Sequence, residues 1–543
     1  MTPTDLQDEF PFQRIPDLIR QHAQARPDRL ALVQGAASLS YGELDALMDR
    51  VAASLQRDGL RAGDVIAICA HASPRYAAVF LGALRAGITV APLAPSVTPE
   101  SFAGMLSDAA ARCLFIDAAA LEALGSTPRD RCIALDLDTP GMALNDWLLP
   151  EGAAPLRADV PHEAPFNIIY SSGTTGAPKG IVQSHGMRWS HVARGAGYGY
   201  SIDTVTVLAT PLYSNTTLVV FFPTIAFGGT VVLMPKFDAL QYLGLAQDHH
   251  MTHTMLVPVQ YQRIMAVPSF DAFDLSSTIA KFCTSAPFSA ALKADVVKRW
   301  PGALIEFYGM TEGGGTCILL AHEHPTKLHT VGQPALNHDI RLIDDEGVEL
   351  PAEAVAAGAT GEVVGHSPGM MIGYHGQPAK TREAEWFDAG GKRFIRTGDV
   401  GRFDAEGFLT LMDRKKDMVI SGGFNIYPSD LEAVLREHPA VADVAVVGVP
   451  SEQWGETPVA YVVKRAGTDA TEAALMQWMN ARVGKTQRLA ALQFIAELPR
   501  SAIGKVLKRE LRERYVSEDE LRERYVSESE LRERLVAKGD TAA

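Results

Sequence analysis

An α/β fold with parallel-rich sheets, followed by a separate small α+β domain, is the architecture this sequence predicts, and three observations predict it. Short β-rich runs alternate with helical patterns through roughly the first four hundred residues, the order that a largely parallel sheet with crossover helices requires. The texture then changes after Pro428, where about a hundred residues carry an alternation of their own. At 543 residues the chain is also too long for one ordinary core, and a prior of roughly 100–200 residues per domain suggests three or four structural units.

Each element follows from its pattern. VIAICA (65–70), TVAPL (89–93), CLFID (113–117), TVTVLAT (204–210), TVVLM (230–234), HTMLV (253–257) and LIEFYG (304–309) read as strands. Between the early ones, LDALMDRVAASLQRDGL places Leu44, Leu47, Met48, Val51 and Leu55 on one helical face, with Gly59 positioned to end the helix. The most apolar stretch, Leu218 to Met234, is short for a membrane span and is broken by Pro223, Gly228 and Gly229. It reads as a buried helix, a turn and a strand. After Pro428 the order is a helix (SDLEAVLREHP), two strands (VADVAVVGV, PVAYVVKR), a helix (TEAALMQWMNARV) and a last strand around LQFIAEL. The charged run at 413–417 reads as the linker into that region.

Composition excludes some functions. A formal net charge of −14 argues against sequence-independent nucleic-acid binding, which needs a basic surface. Five scattered cysteines without C-x-x-C spacing fit buried thiols in a reducing compartment, hence the cytoplasm, better than a disulfide or zinc framework. The acidic start MTPTDLQDEF lacks the basic and then apolar pattern of a secretion signal.

The loop YSSGTTGAPKG (Tyr170 to Gly180) follows the apolar run FNIIY and gathers three glycines, four hydroxyls and one lysine beyond its tyrosine. Converging backbone N–H groups, hydroxyl donors and a cation suit an oxyanion, phosphate above all. The spacing rules out an ordinary P-loop, because five residues after Gly173 comes Pro178 and Gly180 follows Lys179. Three further stretches ask for a joint explanation: FYGMTEGGG (307–315), RTGDVGRFDAEGFLTLMDRKKDMVISGGFNIYP (396–428) and PRSAIGKVLKREL (499–511).

In this order the four stretches resemble the adenylate-forming superfamily of acyl-CoA synthetases, coumarate-CoA ligases, firefly luciferase and peptide-synthetase adenylation domains, over roughly residues 15–510. The resemblance implies a large N-terminal domain of several subdomains (1–413), a small mobile C-terminal domain (414–510) with a hinge near Lys416, and ATP and a carboxylic acid bound where the domains meet. It further implies that Ser171, Ser172, Gly173, Thr174, Thr175, Gly176 and Lys179 guide the β- and γ-phosphates. Tyr308 and Gly309 on one side, and Ser285, Ala286 and Pro287 on the other, would flank adenine. Thr311 would contact phosphate and Glu312 would hold Mg²⁺ directly or through water. Asp399 would accept both ribose hydroxyls, which takes two acceptor oxygens, and Arg414 would add a ribose or phosphate contact. Lys505 resembles the adenylation lysine. Ser421, Gly422, Gly423, Phe424 and Asn425 match the loop lining the pantetheine tunnel, where glycines let a thin chain approach backbone.

The acyl pocket departs from the pattern. TPLYSNTTL has Ser214 where many relatives have histidine, next to Tyr213 and Asn215, which suggests a more polar or open end. Gly313, Gly314 and Gly315 suggest room for a bulky acid, and Gln487 replaces a lysine usual before the last strand. His185, in VQSH, suits a structural or a functional role equally. The expected activity is that of an acid–CoA ligase using ATP, Mg²⁺ and coenzyme A on an aromatic or medium-chain hydrophobic acid, with Ser214 and Asn215 leaving room for a hydroxyl. The alternatives are a stand-alone enzyme loading a carrier protein and a non-enzymatic scaffold that keeps the fold. Neither a nucleic-acid partner nor an integral membrane segment is expected.

The decapeptide repeat beginning at Leu511, Leu521 and Leu531 places Glu four residues before Arg several times, each pair adding about 0.2–0.5 kcal/mol on an exposed helix. It reads as a helical extension (511–543), with contact between subunits, as in a homodimer, as its other reading.

Overall fold

The computed structural model describes residues 11–125, 132–136, 141–171, 179–421, 424–451, 453–484, 487–501 and 504–515. These residues divide into two compact units, one running to Leu411 and including Gly504, the other comprising Met412–Ser501 and the residues from Lys505 onward. The repeats beyond Tyr515 lie outside the described residues.

Alternation of strand and helix does produce parallel sheets in the larger unit. Val65–Cys69 pairs in parallel with Thr89–Leu93 and Leu114–Ile116, and Thr89–Leu93 lies parallel to Pro165–Ser171. The helix Tyr41–Arg57 that covers this region starts with a capping box between Ser40 and Glu43, which satisfies two backbone donors left open at a helix start. It ends beside Gly59, whose φ of +80° is the left-handed conformation a glycine supplies. A second sheet runs Thr230–Leu233, Val205–Leu208, His253–Leu256, Ala280–Cys283 and Ala303–Gly309, all parallel.

The margins are antiparallel, which the reading of alternating strands and helices understated. Pro165–Ser171 turns back on Lys179–Ser184 as a hairpin, and Ala303–Gly309 turns back on Thr316–Leu320. A separate antiparallel sheet joins Asp339–Ile343, Gly361–His366 and Arg393–Phe403. Both chemistry-bearing loops therefore leave the end of a parallel strand and return beside it, so each is anchored on two sides.

The apolar stretch forms the helix Asn215–Ala226, buried nearly all round, followed by Thr230–Leu233. Pro223 cannot donate inside it, and the Thr224 hydroxyl bonds the Val220 carbonyl at 2.7 Å one turn back. Phe222 packs against Phe80 and Phe166, with centroids 5.7 and 5.0 Å away. No helix among the described residues is long and apolar enough to cross a membrane.

In the smaller unit Val441–Ser451 and Gly455–Lys464 form a long antiparallel pair, with Ala491–Ile495 added in parallel. The helices Pro428–Arg436 and Glu472–Asn480 bury Leu431, Leu435, Leu475 and Met479 in the same core as Val444, Val446 and Val462. The charged run is no loose linker. Asp413 accepts the Ser429 N–H at 2.7 Å, Ser429 Oγ bonds the Met412 carbonyl, and Arg512 meets Asp417 at 2.8 Å. Lys508 Nζ lies 2.9 Å from Glu432 and 4.0 Å from Asp413, and these carboxylates hold the part-buried ammonium above its ordinary pKa.

Candidate active site

Two parallel strands end side by side: Cys283 is opposite Glu306, so Ser285–Pro287 emerge next to Tyr308 and Gly309. The Tyr308 hydroxyl donates to Asp399 Oδ2 at 2.8 Å. Asp399 is fixed in turn by its own N–H, which donates to Thr397 Oγ1 at 3.0 Å, while the Thr397 hydroxyl donates to the Val363 carbonyl at 2.8 Å. Burial and the neighbouring carboxylate push the Tyr308 phenol far above its usual range, so it stays a donor. Across the gap Ser285 has φ +83°, a region costly for any side chain but glycine, and its hydroxyl lies 2.7 Å from that of Thr216.

The loop after Gly309 carries Thr311 and Glu312. Gln183 Nε2 donates to the Thr311 carbonyl at 2.7 Å and to Asn215 Oδ1 at 3.3 Å. Glu312 is held at both ends: its carbonyl takes the Met371 N–H at 2.8 Å, and its Oε1 takes the Tyr374 hydroxyl at 2.9 Å. Tyr374 sits on Gly373–Tyr374, paired with Lys179–Ser184, and Lys179 Nζ stands 5.1 Å from the centre of its ring. One tyrosine thus joins the lysine of the phosphate loop to the Thr311–Glu312 turn. Ser171 is paired with Lys179 at the base of that loop, while Ser172, Gly173, Thr174, Thr175 and Gly176 lie outside the described residues.

Among the acyl-pocket candidates, Ser214 is buried at the start of its helix, and Asn215 faces Gln183. Tyr213 is bonded through its hydroxyl to Ser96, and burial raises its pKa. The glycines give a correction. A Cβ on Gly313 would collide with the Gly369 carbonyl oxygen, one on Gly314 with Ile395, and one on Gly315 with Ile340. Their missing side chains open no room for a bulky acid; they let the turn pack directly on the strand Gly361–His366 and its neighbours.

His185 is buried against Phe166, ring centroids 4.8 Å apart, with its Nε2 unpartnered. That environment favours the structural reading. Burial holds its pKa down to about 4, below the ordinary value of about 6.5. Between those values the unfolded chain binds the proton and the folded one does not, so stability is full above about pH 6.5 and falls as pH drops towards 4. Urea midpoints measured across that range should decline, and His185→Phe should flatten part of the decline.

The remaining candidates belong to the smaller unit. Arg414 and Lys416 lie in a turn closed by the Asp417 and Met418 N–H groups on the Arg414 carbonyl, at 2.8 and 3.0 Å. Ser421 is buried and pairs with Phe424 in a hairpin; Gly422 and Gly423 lie outside the described residues. Gln487 closes a turn on the Gly484 carbonyl at 2.9 Å. Lys505 is held through its backbone: its N–H donates to Ser501 Oγ at 3.2 Å and its carbonyl takes the Ser501 N–H at 2.8 Å.

Tyr374 and Gln183 escape sequence reasoning because each acts on a motif from elsewhere in the chain, whereas Thr397 sits in the same stretch as Asp399 and acts two residues away. A signal existed for one: Gln183 is a polar residue inside the otherwise apolar core of a strand. As for the metal, Mg²⁺ is usually held by one or two carboxylates plus substrate phosphates. Glu312 suits that, since Tyr374 occupies one of its oxygens and orients the other, and among the described residues no group of three or more His, Cys, Asp or Glu could hold an ion alone.

Comparison with known proteins bears on the same residues. The family model for AMP-binding enzymes matches residues 19–375, and that for the AMP-binding enzyme C-terminal domain matches 430–505. The chain is 32% identical to the indoleacetate–CoA ligase of Aromatoleum aromaticum, over 91% of this chain and 97% of that protein. It is 30% identical to ScoC, a fatty acid–[acyl-carrier-protein] ligase of Streptomyces coeruleorubidus, over 91% and 95%. Among solved structures, ATP-bound MatB from Rhodopseudomonas palustris matches with a TM-score of 0.82 at 29% identity, covering 92% of this chain and 99% of that one.

Proposed function

The chain belongs to the AMP-binding enzymes, and from that premise we propose an acid–CoA ligase that activates an aromatic or medium-chain acid. The broad chemistry is that of an ATP-dependent acid-activating enzyme working through an acyl adenylate. An oxygen of the acid attacks the α-phosphorus, the bond to the bridging oxygen breaks, and pyrophosphate leaves. The CoA sulfur then attacks the acyl carbon, its proton passes to solvent, and AMP departs.

The observation that carries this reading is the Tyr308–Asp399 pair beside the Thr311–Glu312 turn. Asp399, oriented by Tyr308, takes the ribose hydroxyls, and the neighbouring Ser285–Pro287 segment closes the other face of adenine. Lys179, with Tyr374 beneath its ammonium, meets the terminal phosphates. Thr311 adds a phosphate contact. Glu312 holds Mg²⁺, whose charge offsets that of the triphosphate. Lys505 steadies charge on the α-phosphate and the attacking carboxylate, Arg414 contacts ribose or phosphate, Lys416 serves the hinge, and the Ser421–Asn425 hairpin lines the path of the thiol.

A carrier-protein thiol is the second reading, favoured by the likeness to ScoC. Incubation with MgATP and a panel of acids, with and without CoA, separates the two by mass: acyl-CoA is expected. Pyrophosphate without acyl-CoA turns the reading towards a carrier, and neither product with any acid overturns it.

A further inference from the structure

The hairpin that carries the phosphate loop holds a polar cluster inside the larger unit. Asn167 and Gln183 stand opposite one another on Pro165–Ser171 and Lys179–Ser184, and Arg188 reaches both from the helix His185–Gly195. All three side chains are fully buried. Arg188 Nε donates to Asn167 Oδ1 at 2.9 Å and its Nη2 to Gln183 Oε1, while Asn167 Nδ2 donates to the same Gln183 oxygen at 2.9 Å. The guanidinium also stands 5.7 Å from the ring centre of Phe222, on the helix Asn215–Ala226.

The other end of the Gln183 carboxamide serves the candidate site. Its nitrogen donates to the Thr311 carbonyl at 2.7 Å and to Asn215 Oδ1 at 3.3 Å. A primary amide has two acceptor sites and two hydrogens, and here all four are engaged. Turned over, the group would set its NH2 against two donors and its oxygen against two acceptors. Arg188 and Asn167 therefore allow one orientation only, the one that gives a hydrogen to the turn and another to the acyl pocket. The same helix also bounds the turn directly, since the Met187 methyl lies 2.8 Å from where a Gly313 Cβ would stand.

An apolar trio would fill this volume without the cost of desolvating a guanidinium and two carboxamides, and Arg188 leaves its Nη1 unpartnered. Packing alone does not account for the cluster. We propose that Gln183, locked by Arg188 and Asn167, is a positioning residue of acyl-adenylate formation: one carboxamide holds the Thr311 turn and Asn215 at a fixed spacing, and with them the phosphates and the acid. The proposal rests on the acid-activating function above, in which Thr311 contacts phosphate and Asn215 lines the acid pocket.

Gln183→Glu separates positioning from support. Paired with Arg188, the new carboxylate is ionised at neutral pH and keeps its bonds to Arg188 and Asn167, so the thermal midpoint should stay close to the wild-type value. It has no hydrogen for Thr311 or Asn215, and opposes both with an oxygen. Acid-dependent pyrophosphate release should therefore lose at least about tenfold in kcat/KM, with KM raised for ATP and for the acid alike. Wild-type kcat/KM in Q183E overturns the proposal, as does a lower kcat with both KM values unchanged, the mark of a smaller folded fraction. Should Q183E not fold, the combination of Asn167→Val, Gln183→Leu and Arg188→Met removes the cluster without leaving half-satisfied groups; the same loss is expected, and near wild-type kcat/KM overturns the proposal. Calorimetry with MgATP alone reads the Thr311 contact without turnover, and Q183E should bind several-fold more weakly. A wild-type enzyme that releases no pyrophosphate with any acid then counts against the ligase reading, whereas equal MgATP affinity in Q183E and wild type counts against this one.

Discussion

Replacing Lys505 with alanine is expected to slow acyl-adenylate formation by about 10²–10³-fold, the scale seen when one donor to a developing charge is removed. Thioester formation from supplied acyl adenylate should stay within a few-fold. The asymmetry follows from the chemistry: only the first half-reaction brings a carboxylate against a polyphosphate, so only that step needs a cation between two anions. The local backbone supports a well-placed ammonium. Gly504 takes φ +75°, Ser501 bonds Lys505 on both sides, and Arg500 and Val506 form a bridge across the turn. ATP–pyrophosphate exchange reports the first step and acyl-CoA mass the second. Equal loss in both half-reactions would point to a folding defect, and survival of both would remove Lys505 from the mechanism.

Lys293→Met should destabilise the larger unit by about 3–5 kcal/mol, the usual consequence of breaking a buried ion pair. Lys293 and Glu306 are both buried and bonded to each other, and the ammonium also donates to the Leu328 and Thr330 carbonyls at 2.8 and 3.0 Å. Removal of the cation strands three acceptors. Burial already pushes the Glu306 carboxyl above its ordinary value, with Lys293 the opposing influence. Without Lys293 it rises further, so the folded state holds a proton that the unfolded state has released. The loss of stability should therefore deepen as pH rises through that raised value. Urea midpoints measured from acidic to neutral pH check the sign, and a K293M/E306M double variant should recover part of the loss, since both charges go together. Glu306 lies on the strand that ends in Tyr308, so the single variant should also weaken ATP binding.

The architecture was legible because its strands are apolar runs and its helices carry clear faces. FNIIY, TVTVLAT and LIEFYG all became strands in the larger unit, and the Leu44–Leu55 pattern became one helix ending at Gly59. Antiparallel returns were less visible, since a strand that turns back on itself has the same composition as one that crosses over. Asp399 and Tyr308 could be named from their motifs, yet the bond between them spans 91 positions and has no local signature. The glycines after Glu312 misled for a related reason. A missing side chain reads as space in a sequence, whereas in the fold that volume is already taken by Gly369, Ile395 and Ile340.

Ser429 and Lys508 anchor the first residues of the smaller unit to its interior, and that decides where a truncation can be made. A fragment meant to be expressed alone has to begin at or before Met412. Starting at Arg414, where the run of charges invites a cut, would deprive the Ser429 amide of its acceptor on Asp413 and take one carboxylate from around Lys508.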